Sequence, residues 1–166
     1  MATAKPKLRP GPRYSIDTSA LIHAWRRAYP PKNFVSFWEK LDQYVADGVV
    51  LASVEVRAEL KKKDDEIYAW CDGCPADFCV DLDDEQQEHL AHIMGKYPRL
   101  VDTVKGRSEC DPFVIALARA HSPKLTVISQ EGVGKKDSPK IPDVCRLEGI
   151  ECMTLVEFIQ AEDWRL

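Results

Sequence analysis

The stretch "DPFVIALARA", residues 111–120, constrains this chain more than any other. Asp111-Pro112 is a standard helix start, an acid that can cap followed by a proline whose missing N–H is not needed there. Phe113, Val114, Ile115, Ala116, Leu117 and Ala118 then leave the helix almost no polar side. A helix that is apolar nearly all round must be covered nearly all round, so it belongs at the centre of a layered fold. Short apolar runs at 13–16, 49–52, 78–80, 125–128 and 150–153 read as the strands that cover it.

Between those runs the apolar spacing changes to that of a helix. Residues 18–29 read as helical until Pro30-Pro31 stops them. Asn33 is placed to cap a second helix, with Phe34, Phe37, Trp38, Leu41, Tyr44 and Val45 on one face and Asp47-Gly48 at its end. Ser53 caps a third carrying Val54, Val56, Ala58 and Leu60. Residues 84–96 read as an amphipathic helix with Leu90, Ile93 and Met94 inward. A short helix opens at Pro142 or Asp143 and is closed by Gly149, and Thr154 caps a last one holding Leu155, Val156, Phe158 and Ile159. Strands alternating with helices predict an α/β three-layer sandwich, a mostly parallel central sheet flanked by helices.

A length of 166 residues favours one domain, here 13–166, behind a basic, proline-rich and flexible lead-in at 1–12. No apolar run reaches the length of a membrane span, and the N-terminus lacks the apolar core of a secretory signal. A cytoplasmic location is the expectation. Six cysteines raise the question of staples or zinc. Cys71-x-x-Cys74 is half of a zinc site, but no second C-x-x-C follows, and Cys79 with His89 or His92 is the remaining completion. Reduced structural thiols are the simpler reading for a chain with this much apolar material.

The formal net charge of −4 excludes a global field that attracts nucleic acid, so any such binding needs a local basic patch. Lys61–Lys63, Lys105 with Arg107, and Lys135 with Lys136 are the candidates; as bland alternatives they are solvated helix ends or loops. In open parallel sheets function gathers at the carboxyl ends of strands. Asp17 follows the first strand, Glu55 and Glu59 lie on the helix after the second, Asp111 starts the apolar helix, and Glu131 follows the run 125–128. Asp17 and Asp111 each serve equally well as helix caps, and Glu59 and Glu131 as solvated residues. Taken together, these acids can meet at one sheet edge. Clustered carboxylates repel, and a hard divalent cation such as Mg²⁺ removes that cost. One or two such ions can activate water and stabilise the leaving oxygen in phosphodiester cleavage.

Four stretches, "YSIDTSALI", "SVEVRAELKKK", "ECDPFVIALARA" and "LTVISQE", together resemble the PIN-domain family of metal-dependent ribonucleases, in particular a bacterial PIN-like subfamily of unknown function similar to toxin ribonucleases. The resemblance runs from Tyr14 to about Ile159. It implies catalytic metal ligands at Asp17, Glu59 (with Glu55 one turn earlier as its rival), Asp111 and Glu131 (with Asp143 as its rival), and support from Ser19. It implies Mg²⁺ or Mn²⁺ as cofactor, RNA as substrate, contacts to RNA from Lys105, Arg107, Lys135 and Lys136, a cognate antitoxin, and a homodimer. The rival expectations are a catalytically weak PIN-like module that binds RNA or protein, and a metal-dependent nuclease acting on DNA.

Overall fold

The computed structural model of the chain describes residues 10–101 and 109–166. Lys105, Arg107 and residues 1–9 of the expected lead-in lie outside the described residues.

Five strands, β1 (Tyr14–Ile16), β2 (Val50–Ser53), β3 (Cys79–Val80), β4 (Thr126–Ile128) and β5 (Cys152–Met153), form one sheet in the order β3-β2-β1-β4-β5. Every pairing is parallel, so the expectation of a mostly parallel sheet is met in full. The described residues also hold eight α-helices: α1 (Thr18–His23), α2 (Val35–Ala46), α3 (Val54–Lys63), α4 (Asp65–Asp72), α5 (Asp84–Lys96), α6 (Asp111–Arg119), α7 (Ile141–Leu147) and α8 (Leu155–Ala161).

The strand period of two separates the layers. Tyr14 points to one face, where its ring meets Phe158 of α8 edge-on at 4.8 Å. Ser15 points to the other, and its hydroxyl donates to the Val114 carbonyl of α6 at 3.0 Å. Helix α6 lies against β1, β2 and β4 and carries α5 on its outer side. Its residues from Val114 to Ala118 are all buried, as its all-round apolar sequence requires. The structure is therefore a three-layer α/β sandwich. At the Tyr14 face, Glu162 just past α8 accepts hydrogen bonds from Tyr44 (2.7 Å), Tyr14 and Arg13, which ties the chain's last turn to α2 and β1.

Several helix ends form as expected: the Ser53 hydroxyl accepts from the Glu55 N–H, Thr154 and Glu157 form a capping box, and Gly48 and Gly149 follow their helices at φ +72° and +67°. Others differ. Helix α2 begins one residue later than Asn33 implies, with Phe34 in the cap position, 38% exposed and its ring edge-on to Tyr29. Residues Ala24–Ala28 wind as a π-helical turn, not as a continuation of α1. Met94 faces outward and only Ile93 of the expected α5 trio is fully buried. Asp111 is the first residue inside α6, not its cap; Cys110 holds the cap position without a side-chain hydrogen bond.

Candidate metal centre

The strand order reverses direction at β1, with β2 and β3 running off to one side and β4 and β5 to the other. The crevice at the carboxyl ends of β1 and β4 is thus the topological switch point, where open parallel sheets place their ligands. The register pairs Ile16 with Ile128, so the next residues, Asp17 and Ser129, stand side by side at the sheet's edge. Asp17 keeps extended backbone (φ −88°, ψ 153°) and continues the face of Ser15, the face on which α6 lies. The first turn of α6 supplies Asp111, and the segment after β4 supplies Glu131.

Asp17, Asp111 and Glu131 each offer a carboxylate oxygen within 4.8 Å of the others'. Asp17 is 2% exposed and Asp111 4% exposed. Among the described residues this is the one grouping of three or more acidic, histidine or cysteine ligands gathered closely enough to hold an ion. Burial pushes the Asp17 carboxyl up to about 6, and the charges of Glu131 and Glu59 add to the rise; the Ser19 hydroxyl opposes it. The oxygen Oδ2 of Asp17 accepts from the Ser19 hydroxyl at 2.5 Å and from the Ser129 hydroxyl at 3.3 Å, and the Ser19 Oγ in turn accepts from the Gln130 N–H at 3.0 Å. Asp17 also caps α1, accepting from the Ser19 N–H, so capping and siting coincide in one side chain.

The remaining expected residues fall into place unevenly. Glu59 stands outside the group of three: Thr18 donates to its Oε2 at 3.0 Å and Lys63 occupies Oε1. Glu59 does line the same cavity, whereas Glu55 lies in a separate, smaller depression with Lys62 and Glu109. Asp143 braces the loop before α7, accepting from the backbone N–H groups of Gly134 (2.8 Å) and Lys140 (2.9 Å), and those bonds hold its carboxyl below the usual range against the opposing effect of burial. The acid that reaches the centre from this side is Glu131. One of its oxygens accepts from the Ile141 N–H at 3.3 Å.

The cavity over the acids measures about 650 Å³. Its basic wall was not among the expectations. Ser19, Ile22, His23, Arg26 and Arg27 all line it, and they recur at the spacing of one helical face running from α1 into the π-helical turn. That stripe, started at Ser19, is the signal that finds them. Lys63 and Lys140 line the cavity too. Lys135 and Lys136 are exposed and do not line it.

The sequence profile of a family described as a domain of unknown function (DUF4411) matches residues 14–166. The chain belongs to the DUF4411 family. The matched span begins at the first residue of β1 and takes in all three acids, so within this DUF4411 member the centre is part of the family domain and not of an appended segment. No curated protein matches the chain.

Proposed function

We propose that this chain is a PIN-like, divalent-metal-dependent endoribonuclease, the toxin of a toxin–antitoxin pair. The observation that carries the reading is the meeting of Asp17, Asp111 and Glu131, brought from three distant parts of the sequence to the switch point of a parallel sheet. Three hard oxygen donors, two of them buried, fit Mg²⁺ or Mn²⁺. The raised carboxyl of Asp17 is the electrostatic cost that a cation there relieves. The likeness of "YSIDTSALI" and "ECDPFVIALARA" to PIN-domain stretches supports the same reading.

Asp17, Asp111 and Glu131 would hold the ion. When bound, it supplies activation of water and neutralisation of charge at the scissile phosphate. Ser19 and Ser129 fix the orientation of the Asp17 carboxylate through their hydroxyls. An acidic centre repels a polyanion, and the wall of His23, Arg27 and Lys140 offsets that repulsion and receives the phosphates on either side of the cut. Arg26 is held at the mouth by Asp64 at 2.8 Å. Glu59, neutralised by Lys63, acts here as a positioning residue through Thr18. A cognate antitoxin that covers the cavity and a homodimer complete the proposal.

Two observations favour the rival of a weakly catalytic module that binds RNA or protein: Glu131 shares an oxygen with a backbone N–H, and Glu59 is tied away from the other acids. A single assay separates the readings. Mixed RNA and DNA substrates are incubated with Mg²⁺, Mn²⁺ or chelator, with Asp111→Asn as control. The proposal expects RNA cleavage that chelator and Asp111→Asn both abolish. Chelator-resistant cleavage sinks the metal mechanism, cleavage of DNA alone favours the DNA nuclease, and RNA binding without turnover favours the module.

A further inference from the structure

The thiols of Cys71 at the end of α4 and Cys79 in β3 lie 3.4 Å apart, in hydrogen-bond contact. Both line a cavity of about 330 Å³ on the far side of the sheet order from the acidic centre, together with Arg57, Asp72, Cys74 and Asp81. We infer that Cys71 and Cys79 are an oxidation site, a two-electron redox pair that closes to a disulfide on reaction with a small hydroperoxide.

The geometry selects this pair over the other cysteines. The C-x-x-C spacing nominates Cys74 as the partner of Cys71, but the Cys74 thiol donates to the Trp70 carbonyl at 3.4 Å, and its partner is thereby a backbone oxygen. Metal binding is a poorer fit, since these three sulfurs are not among the ligand groups gathered closely enough for an ion. Cys145 and Cys152 form a second thiol contact at the opposite edge of the sheet, but there the charges of Asp17, Glu157 and Glu131 oppose a Cys152 thiolate, whereas Arg57 favours one at Cys71. Cys110 is buried beside Asp17, Glu59 and Asp111, and burial with those charges pushes its thiol up. The hydrogen bond from Cys79, with help from the nearby Arg57 guanidinium, instead draws the Cys71 thiol down against its burial, the direction that increases thiolate. A cysteine that lines a cavity with a second thiol in contact is the arrangement of a reactive cysteine and its resolving partner.

The chemistry balances with the hydroperoxide as oxidant. The Cys71 thiolate attacks the terminal peroxide oxygen, the O–O bond breaks, and the displaced oxygen takes up a proton and leaves as an alcohol, or as water when the oxidant is hydrogen peroxide. Cys71 is then a sulfenic acid. The Cys79 sulfur attacks the sulfenic sulfur, the S–O bond breaks, and the hydroxide leaves as water with the Cys79 proton. Two thiols are oxidised to one disulfide and one hydroperoxide is reduced.

The test uses the full chain, folded, reduced and then exposed to hydrogen peroxide. Cleavage on the N-terminal side of aspartates releases the three cysteines on separate peptides, 65–71, 72–76 and 77–80. Expected is a linked 65–71/77–80 species, two hydrogens lighter than its parts and reversed by dithiothreitol. It persists in Cys74→Ser. In Cys79→Ser, dimedone labels Cys71. A link from Cys71 to Cys74, or free thiols at both Cys71 and Cys79 after oxidation of the other cysteines, overturns the inference; so does the absence of any change in the wild-type peptides, which needs no variant to fold.

Discussion

Thr18 donates its hydroxyl to Glu59 across 3.0 Å, and Lys63 holds the other oxygen of the same carboxylate. An acid so engaged is an outer partner of the Asp17 centre, reached through Thr18, the residue that follows Asp17. The four acids should therefore not behave alike.

Calorimetric titration with Mn²⁺ reads that difference. Asp17→Asn, Asp111→Asn and Glu131→Gln should each remove measurable binding while the circular dichroism spectrum persists. Glu59→Gln should weaken binding by about tenfold, the lower end for loss of an outer-shell partner. Binding lost entirely in Glu59→Gln would return that residue to the ligand set.

Protonation of Asp17 gives a second test. Its carboxyl sits at about 6 in the fold, above the ordinary 3.8, because burial disfavours the charge. A raised carboxyl stabilises the fold below its ordinary value and loses that contribution as pH rises through 6. The metal-free protein should thus lose on the order of 3 kcal/mol from this group between about pH 4 and pH 6. Urea unfolding in chelator, compared with Asp17→Asn, isolates the effect from the other carboxylates. With Mn²⁺ present the sign reverses, since protons compete for the same oxygen and affinity falls below pH 6.

Glu162 behaves in the opposite sense. Burial alone would raise it, but Arg13, Tyr14 and Tyr44 outweigh burial and hold it below the usual carboxylate range. Its contribution is present above its ordinary value of 4.5 and fades as pH falls through the lowered one. Glu162→Ala strands two tyrosine hydroxyls and should cost about 2–3 kcal/mol in chemical denaturation. Cation affinity should stay as in the wild type, because this latch lies on the other face of the sheet.

The basic wall is tested by salt. Arg27→Ala should lower the slope of log affinity for single-stranded RNA against log salt by about 1, using the inactive Asp111→Asn background. Lys136→Ala, outside the cavity, should leave the slope unchanged.

Much of this was legible in the residues. The apolar faces of α6 declared a central helix, and pattern alone placed Asp17 and Glu131 after strands and Asp111 at the start of that helix. The π-helical turn was not legible, because a widened turn is decided by what packs on it, and it is this turn that continues the Ser19 stripe to Arg26 and Arg27. Asp143 against Glu131 was equally undecidable from spacing: the answer lies in the Gly134 and Lys140 N–H groups that claim Asp143. Gly134 itself belongs to that answer, since a Cβ there would fall 2.5 Å from the Ser138 carbonyl.

Strands β1 and β4 are neighbours in the sheet, yet Asp17 and Ser129 are 112 residues apart in the chain. A growing polypeptide emerges from its N-terminus, so the centre stays without Glu131 until most of the domain has been synthesised. Translation products that end before β4 would therefore lack a complete acidic centre, and any chemistry proposed for it waits on chains that extend past Glu131.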